Sequence, residues 1–319
     1  MPQCEDGWSG AVCRVATLST LLMLAVHLSV PATAKTLLVG TSETFKSPSG
    51  AAAVAKPGDV VRIDPGTYFD CAVWTANDLK IEAAGPHVVL TDKVCEGKAI
   101  FVVRGDNATI SGLSFARARA PDGNGAGIRA EGTNLTIADS TFVDNQEGII
   151  AGENLRSTII VRNSQFERNG TCVSACAHGI YANHIARLVV SHSRFLETRA
   201  GHHIKSRALR TDITDNRIED GPNGTSSYLV DIPNGGSLIL VNNVMEKGPL
   251  NQNHSAAVVI GEEGVSQPTA QLTISKNTFS DDGPPTSFVK NLTATPARLT
   301  GNVLKGDSIT PLTGDGTVR

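Results

Sequence analysis

One pattern recurs eight times along the chain: an apolar residue followed five positions later by a second. The pairs are Ile110 and Phe115, Ile137 and Phe142, Val161 and Phe166, Val190 and Phe195, Ile213 and Ile218, Leu240 and Met245, Ile274 and Phe279, and Leu299 and Leu304. From the second copy on, a small polar residue stands two places before the second member: Ser140, Ser164, Ser193, Asn216, Asn243, Asn277 and Asn302. Successive copies lie 23 to 34 residues apart, too irregular for a propeller blade or a helical repeat. A unit this short cannot enclose its own apolar face, but stacked units bury a continuous core. The pattern predicts an all-β solenoid of about nine to ten coils, with the Ser/Asn column as an internal ladder that satisfies buried polar groups.

A second strand recurs between the copies, centred on Ile128, Ile149, Ile180, Ile204, Val230 and Val259. Small or apolar residues follow two places on, at Ala130, Ala151, Ala182, Ser206, Ile232 and Gly261. Side chains alternate along a strand, so both columns point inward. The spacing from the repeat mark to this strand varies from 7 to 14 residues, which gathers the variable loops on one side.

Near the start, Lys56-Pro57-Gly58-Asp59-Val60-Val61-Arg62-Ile63 and then Pro65-Gly66-Thr67-Tyr68 resemble the opening coil of secreted β-helix proteins. The resemblance, to the pectate-lyase-like superfamily, extends through the repeats to about residue 305. It implies a single-stranded right-handed parallel β-helix over residues 35–319. That fold hosts lyases, hydrolases, esterases, epimerases and tailspikes, so it does not by itself fix an activity.

The apolar run from Val15 to Val30 follows Arg14 and leads to Ala32-Thr33-Ala34, the small-x-small form of a signal-peptidase site. Residues 1–34 are therefore read as a signal peptide and the mature chain as secreted or periplasmic, an uncleaved anchor being the alternative. Four cysteines remain, Cys71, Cys95, Cys172 and Cys176, an even number in a chain bound for an oxidising compartment. Of three connectivities, Cys71 to Cys95 and Cys172 to Cys176 is favoured, since the second pair lies in one short loop. Their spacing does not suit a zinc site. With 28 basic and 31 acidic residues and no Lys/Arg-rich run, the chain lacks the charge that holds proteins on nucleic acid. No nucleic-acid partner is expected, no membrane partner after signal cleavage, and a monomer suffices.

One place past the inward column the side chains read Arg129, Ile150, Tyr181, Lys205, Asp231 and Ile260. At a coil rise of about 4.8 Å, Tyr181, Lys205 and Asp231 make an outward row about 10 Å long. Glu131, Asn183 and Arg207 stand two places further on, and alternation puts His203 outward one place before. Clustered cations on one face repel unless an anion lies over them. An acidic polysaccharide would supply it. β-Elimination on a uronide needs the C5 carboxylate neutralised, a base for the C5 proton and an acid for the leaving oxygen. Arg207 suits the first role and Lys205, flanked by Arg207 and His203, the second. Tyr181 or His203 suits the third. Asn183, Asp231, Arg129, Glu131 and His178 are candidate substrate-binding residues, while His202 is expected to turn inward. The plain alternative is a solvated sheet face that carries Tyr, Lys and Arg for β-propensity and solubility.

The polygalacturonase motifs are met only by the loosely similar Gly201-His202-His203-Ile204-Lys205, and Asp281-Asp282 falls in a late loop. Hydrolysis by paired carboxylates is thus disfavoured. The Trp-x-Asp-His and Arg-x-Pro-x-x-Arg patterns of pectate lyases are missing, and no Asp-rich strand supports calcium, so no cofactor is expected. The Lys/Arg pairing looks more like the chondroitinase B and alginate lyase branch. A polysaccharide lyase, or a C5 epimerase sharing its first step, is the leading reading. A non-catalytic carbohydrate-binding or scaffold β-helix is the second.

Overall fold

A computed structural model describes residues 34–173 and 175–319. The run from Val15 to Val30, and the signal peptide read there, lie outside the described residues. Over the rest, three parallel sheets of twelve, ten and ten strands wind around one core. Each sheet adds strands in chain order, so each of ten circuits from Val60 to Gly314 contributes one strand to every sheet, as the repeat requires, and Thr36–Val39 and Gly316–Val318 extend the first sheet at its two ends.

All eight copies of the repeat stack in register. Ile110, Ile137, Val161, Val190, Ile213, Leu240, Ile274 and Leu299 are successive partners in one sheet. Phe115, Phe142, Phe166 and Phe195 are partners in the next, with ring centroids 5.2, 4.7 and 4.5 Å apart. The corner between these sheets is turned by a left-handed residue just before the polar position: Asp139, Asn163, His192, Asp215, Asn242 and Lys276. A residue there costs strain unless the corner recurs with support, and the ladder supplies it. The Ser140 amide donates to Ser164 Oγ and the Ser193 amide to Asn216 Oδ1. From Asn216 on, each asparagine also donates Nδ2 to the next one's Oδ1.

A short helix, Pro48–Ala52, capped by Ser47, buries Pro48 and Ala51 at the first coil. Both disulfides pair as the spacing suggested, Cys71 with Cys95 and Cys172 with Cys176. The second closes a two-stranded antiparallel loop, Thr171–Cys172 with Cys176–Ala177. One register needs correction: Val258, not Val259, pairs with Val230, so Val259 rather than Ile260 continues the outward column beyond Asp231. The strand Ala256–Ile260 is apolar and buried at every position, so alternation in the sequence does not fix its register. Among the described residues no helix is long and apolar enough to cross a membrane.

Candidate active site

The sheet containing Glu147–Ala151, Ile180–Ala182, Ile204–Ser206 and Val230–Ile232 presents three columns outward. The central one is Ile150, Tyr181, Lys205 and Asp231, paired strand to strand. Upstream, the same register aligns Glu147, His178, His202 and Tyr228. The two imidazoles stack at 4.8 Å, and His202 stacks on Tyr228 at 5.2 Å. Downstream stand Asn183 and Arg207. Between the columns runs a cleft of about 500 Å³ whose rim includes Cys176 of the disulfide loop.

The cations are not unopposed. Lys205 Nζ lies 2.6 Å from Glu263 Oε1 and 3.3 Å from Asp231 Oδ2. Arg207 Nη2 is 2.5 Å from Glu263 Oε2, its Nε donates to the Tyr181 hydroxyl at 3.0 Å, and Nη1 donates to Asn234 Oδ1. One carboxylate, on the exposed turn between Gly261 and Gly264, is thus gripped by both cations. Asp231 is 3% exposed, and its Oδ1 has no partner. Burial pushes it up to about 7 even though Lys205 works the other way. Burial, with Lys205 and Lys247 nearby, takes His202 down to about 3. Burial likewise holds His178, beside His202 and Lys205, well below the usual imidazole range.

The structure brings Tyr181, Lys205, Arg207, Asp231 and His178 together, and sets Asn183 next to them, its Oδ1 accepting from the His184 amide. Arg129 and Glu131 belong elsewhere. They sit with Lys98 and Arg104 in an ion cluster in earlier coils, where Glu131 takes both Lys98 and Arg104. His203 is the main correction. It is fully buried, between Thr198 Oγ1 at 2.8 Å and Asp220 Oδ1 at 2.9 Å, and has no access to the cleft. Alternation failed because two successive residues face inward at this point: His203 and Ile204 are both buried, as are Ala257 with Val258 and Phe288 with Val289 inside their own strands. The position before Ile204 faces inward in every coil: Leu229, Ala257 and Phe288 occupy it with no exposure, and a Cβ on Gly148 there would strike the Phe166 ring. His202, expected inside, lines the cleft instead. The flanking of Lys205 by two unpaired cations is corrected with it.

Sequence reasoning also missed Glu147, Tyr228, Asn234 and Glu263. Glu147 and Tyr228 stand at the offset of His178 and His202, so reading that column would have found them. Glu263 arrives from a loop 58 residues beyond Lys205, and only its position between two glycines set it apart.

The model of the right handed beta helix region matches residues 44–244. No curated protein matches the chain in sequence. Among solved structures, an alginate lyase from Paenibacillus sp. str. FPU-7 superposes with a TM-score of 0.66 at 20% identity, over 89% of this chain and 99% of that one. The pectate lyase Pel9A gives 0.57 at 16% identity, over 86% and 78%. A lacto-N-biosidase from Eubacterium ramulus gives 0.52 at 10%, over 89% and 67%. At such identities the likeness shows the fold alone.

Proposed function

The chain belongs to the right handed beta helix region family, and from that premise we propose that it is a secreted or periplasmic lyase cleaving an acidic, uronic-acid-containing polysaccharide by β-elimination. The observation that carries this is the grip of Lys205 and Arg207 on a single carboxylate, that of Glu263, at 2.6 and 2.5 Å beside the Tyr181 hydroxyl. A uronate arriving in the cleft displaces Glu263, which sits on an exposed turn. Arg207 then takes the substrate carboxylate, and neutralising that charge acidifies the C5 proton. Lys205 passes a proton to the ionised Asp231 behind it at 3.3 Å and, as the free amine, accepts the C5 proton. The electron pair forms the C4–C5 double bond, the bond from C4 to the glycosidic oxygen breaks, and the Tyr181 hydroxyl protonates the departing oxygen. The Arg207 Nε–H steadies the phenolate until Lys205 and Asp231 return the protons. The names borne by the alginate and pectate lyases that share this fold agree with this reading.

The test is a panel of acidic polysaccharides followed by ultraviolet absorbance. Elimination leaves an unsaturated uronide that absorbs, and Tyr181→Phe should abolish the signal. Retardation of a polymer that stays intact would identify a binding protein instead, and inversion at C5 without absorbance an epimerase.

A further inference from the structure

The elimination leaves one end of the cleft unused. Glu147 lies there, 1% exposed, two coils before Lys205. It lines the cleft, yet its Oε2 is buried and has no partner. Next to it in the column stand two rings whose tautomers the backbone fixes. His178 Nδ1 accepts from the His202 amide at 3.0 Å, and His202 Nδ1 accepts from the Tyr228 amide at 3.0 Å. Each ring therefore carries its proton on Nε2 and offers a donor without a charge. Burial also pushes the Glu147 carboxyl well above the usual carboxylate range, although the His178 backbone amide, Lys205 and Arg129 all favour its ionised form.

We propose that Glu147 and His178 form a second subsite, in which two uncharged donors, the Glu147 carboxyl O–H and the His178 Nε2–H, hold the carboxylate of a neighbouring unit of the same uronate polymer. The inference rests on the polyuronate reading of the cleft and extends it. Two donors lining the same cleft suit a carboxylate, which only accepts, better than a sugar hydroxyl, which also seeks an acceptor. Neutral donors leave no uncompensated buried charge when the cleft is empty. One coil rise separates His178 from Lys205 along the stacking direction and two separate Glu147 from it, about 4.8 and 9.6 Å, enough for a polymer lying along the coils to reach both with different units.

The experiment measures binding of alginate and of polygalacturonate, each beside its carboxyl-reduced neutral form, to the full mature chain carrying Tyr181→Phe to silence cleavage. Glu147→Ala should weaken binding of the bound polyuronate roughly tenfold, the size of one hydrogen bond to a charged group, and leave the neutral form unaffected. Alanine fits this column, which already holds Ala99 and Ala126 in neighbouring coils. Glu147→Gln keeps a donor and should bind within about threefold of the parent. With Glu147 present, affinity should fall as pH rises through its titration, because the ionised group cannot donate and repels the ligand; with Gln that dependence should vanish. Unchanged affinity in Glu147→Ala, or an equal loss for the neutral form, overturns the subsite and leaves the polyuronate reading standing. So does the lack of a carboxylic-acid infrared band that Glu147→Gln removes from the free protein. Failure of every form to bind either polyuronate removes both.

Discussion

Replacing Lys205 by Met should produce a stability defect that grows with pH. Lys205 and Asp231 are side by side, 3.3 Å apart, with side-chain exposures of 12% and 4%. Asp231 titrates at about 7 in the folded chain against about 3.9 unfolded. A carboxyl whose folded value is raised loses stability as pH climbs from the unfolded value, and the loss levels off above the folded one. In the parent it levels off near 7, because Lys205 stabilises the carboxylate. Without Lys205 the folded value rises further and the loss continues at about 1.4 kcal/mol per pH unit up to the new value. At pH 5 the carboxyl is protonated in both proteins, and Met replaces most of the lysine stem. The cost of Lys205→Met should therefore be about 2–3 kcal/mol greater at pH 9 than at pH 5. Urea unfolding at both pH values measures it as a shift in midpoint at constant slope. The double variant with Asp231→Asn should show no such difference. A cost independent of pH, or one that survives Asp231→Asn, refutes the reasoning. On the proposed substrate the same variant should lose 10² to 10⁴ in turnover, about what general acid–base catalysis supplies.

Asn243→Ala should cost about 2–4 kcal/mol in urea unfolding, since it leaves the buried amide of Asn216 without the Asn243 Oδ1 that accepts from it at 2.9 Å; a cost below about 1 kcal/mol would show the ladder to be incidental. Glu263→Ala should tighten polyuronate binding several-fold by releasing Lys205 and Arg207, and calorimetry showing weaker binding would make Glu263 a substrate ligand instead. Breaking Cys71–Cys95, which closes a separation of 24 residues, should cost roughly 1.5 kcal/mol more than breaking Cys172–Cys176 with its separation of 4, as the loop-entropy difference requires. Paired Cys→Ser variants compared by thermal unfolding give that difference directly.

The fold was legible because stacking imposes identical demands on every coil. The Phe column and the Ser/Asn corner each solve a problem that recurs at each turn, so they surface as a period in the sequence. The site obeys no such repetition. Tyr181, Lys205 and Asp231 could be placed on one face because they ride on the periodic strand. His203 could not, since it and Ile204 both face inward, as Ala257 and Val258 do within a single strand, so alternation does not hold at that position. Glu263 was out of reach for another reason: it comes from the one long connection, Ile260 to Leu272, at a corner where its neighbours are short, and nothing local records where such a loop returns. The ion cluster around Arg129 shows the converse error. Membership of a column says which way a side chain points, and the charges one or two coils away decide what it does there.

The parallel register has a consequence for how such a chain can change. Tyr181, Lys205 and Asp231 come from three successive circuits, and each circuit is structurally interchangeable with its neighbours. Duplicating the circuit of residues 183–206 in tandem would preserve the core, the corner ladder and every sheet. It would also create two copies of Lys205, of which only one could neighbour Tyr181 and only the other Asp231. The scaffold is thus indifferent to whole-circuit gain or loss, while the chemistry is tied to one unbroken run of circuits. A whole-circuit insertion within that run would leave the fold intact and split the proposed site in a single step.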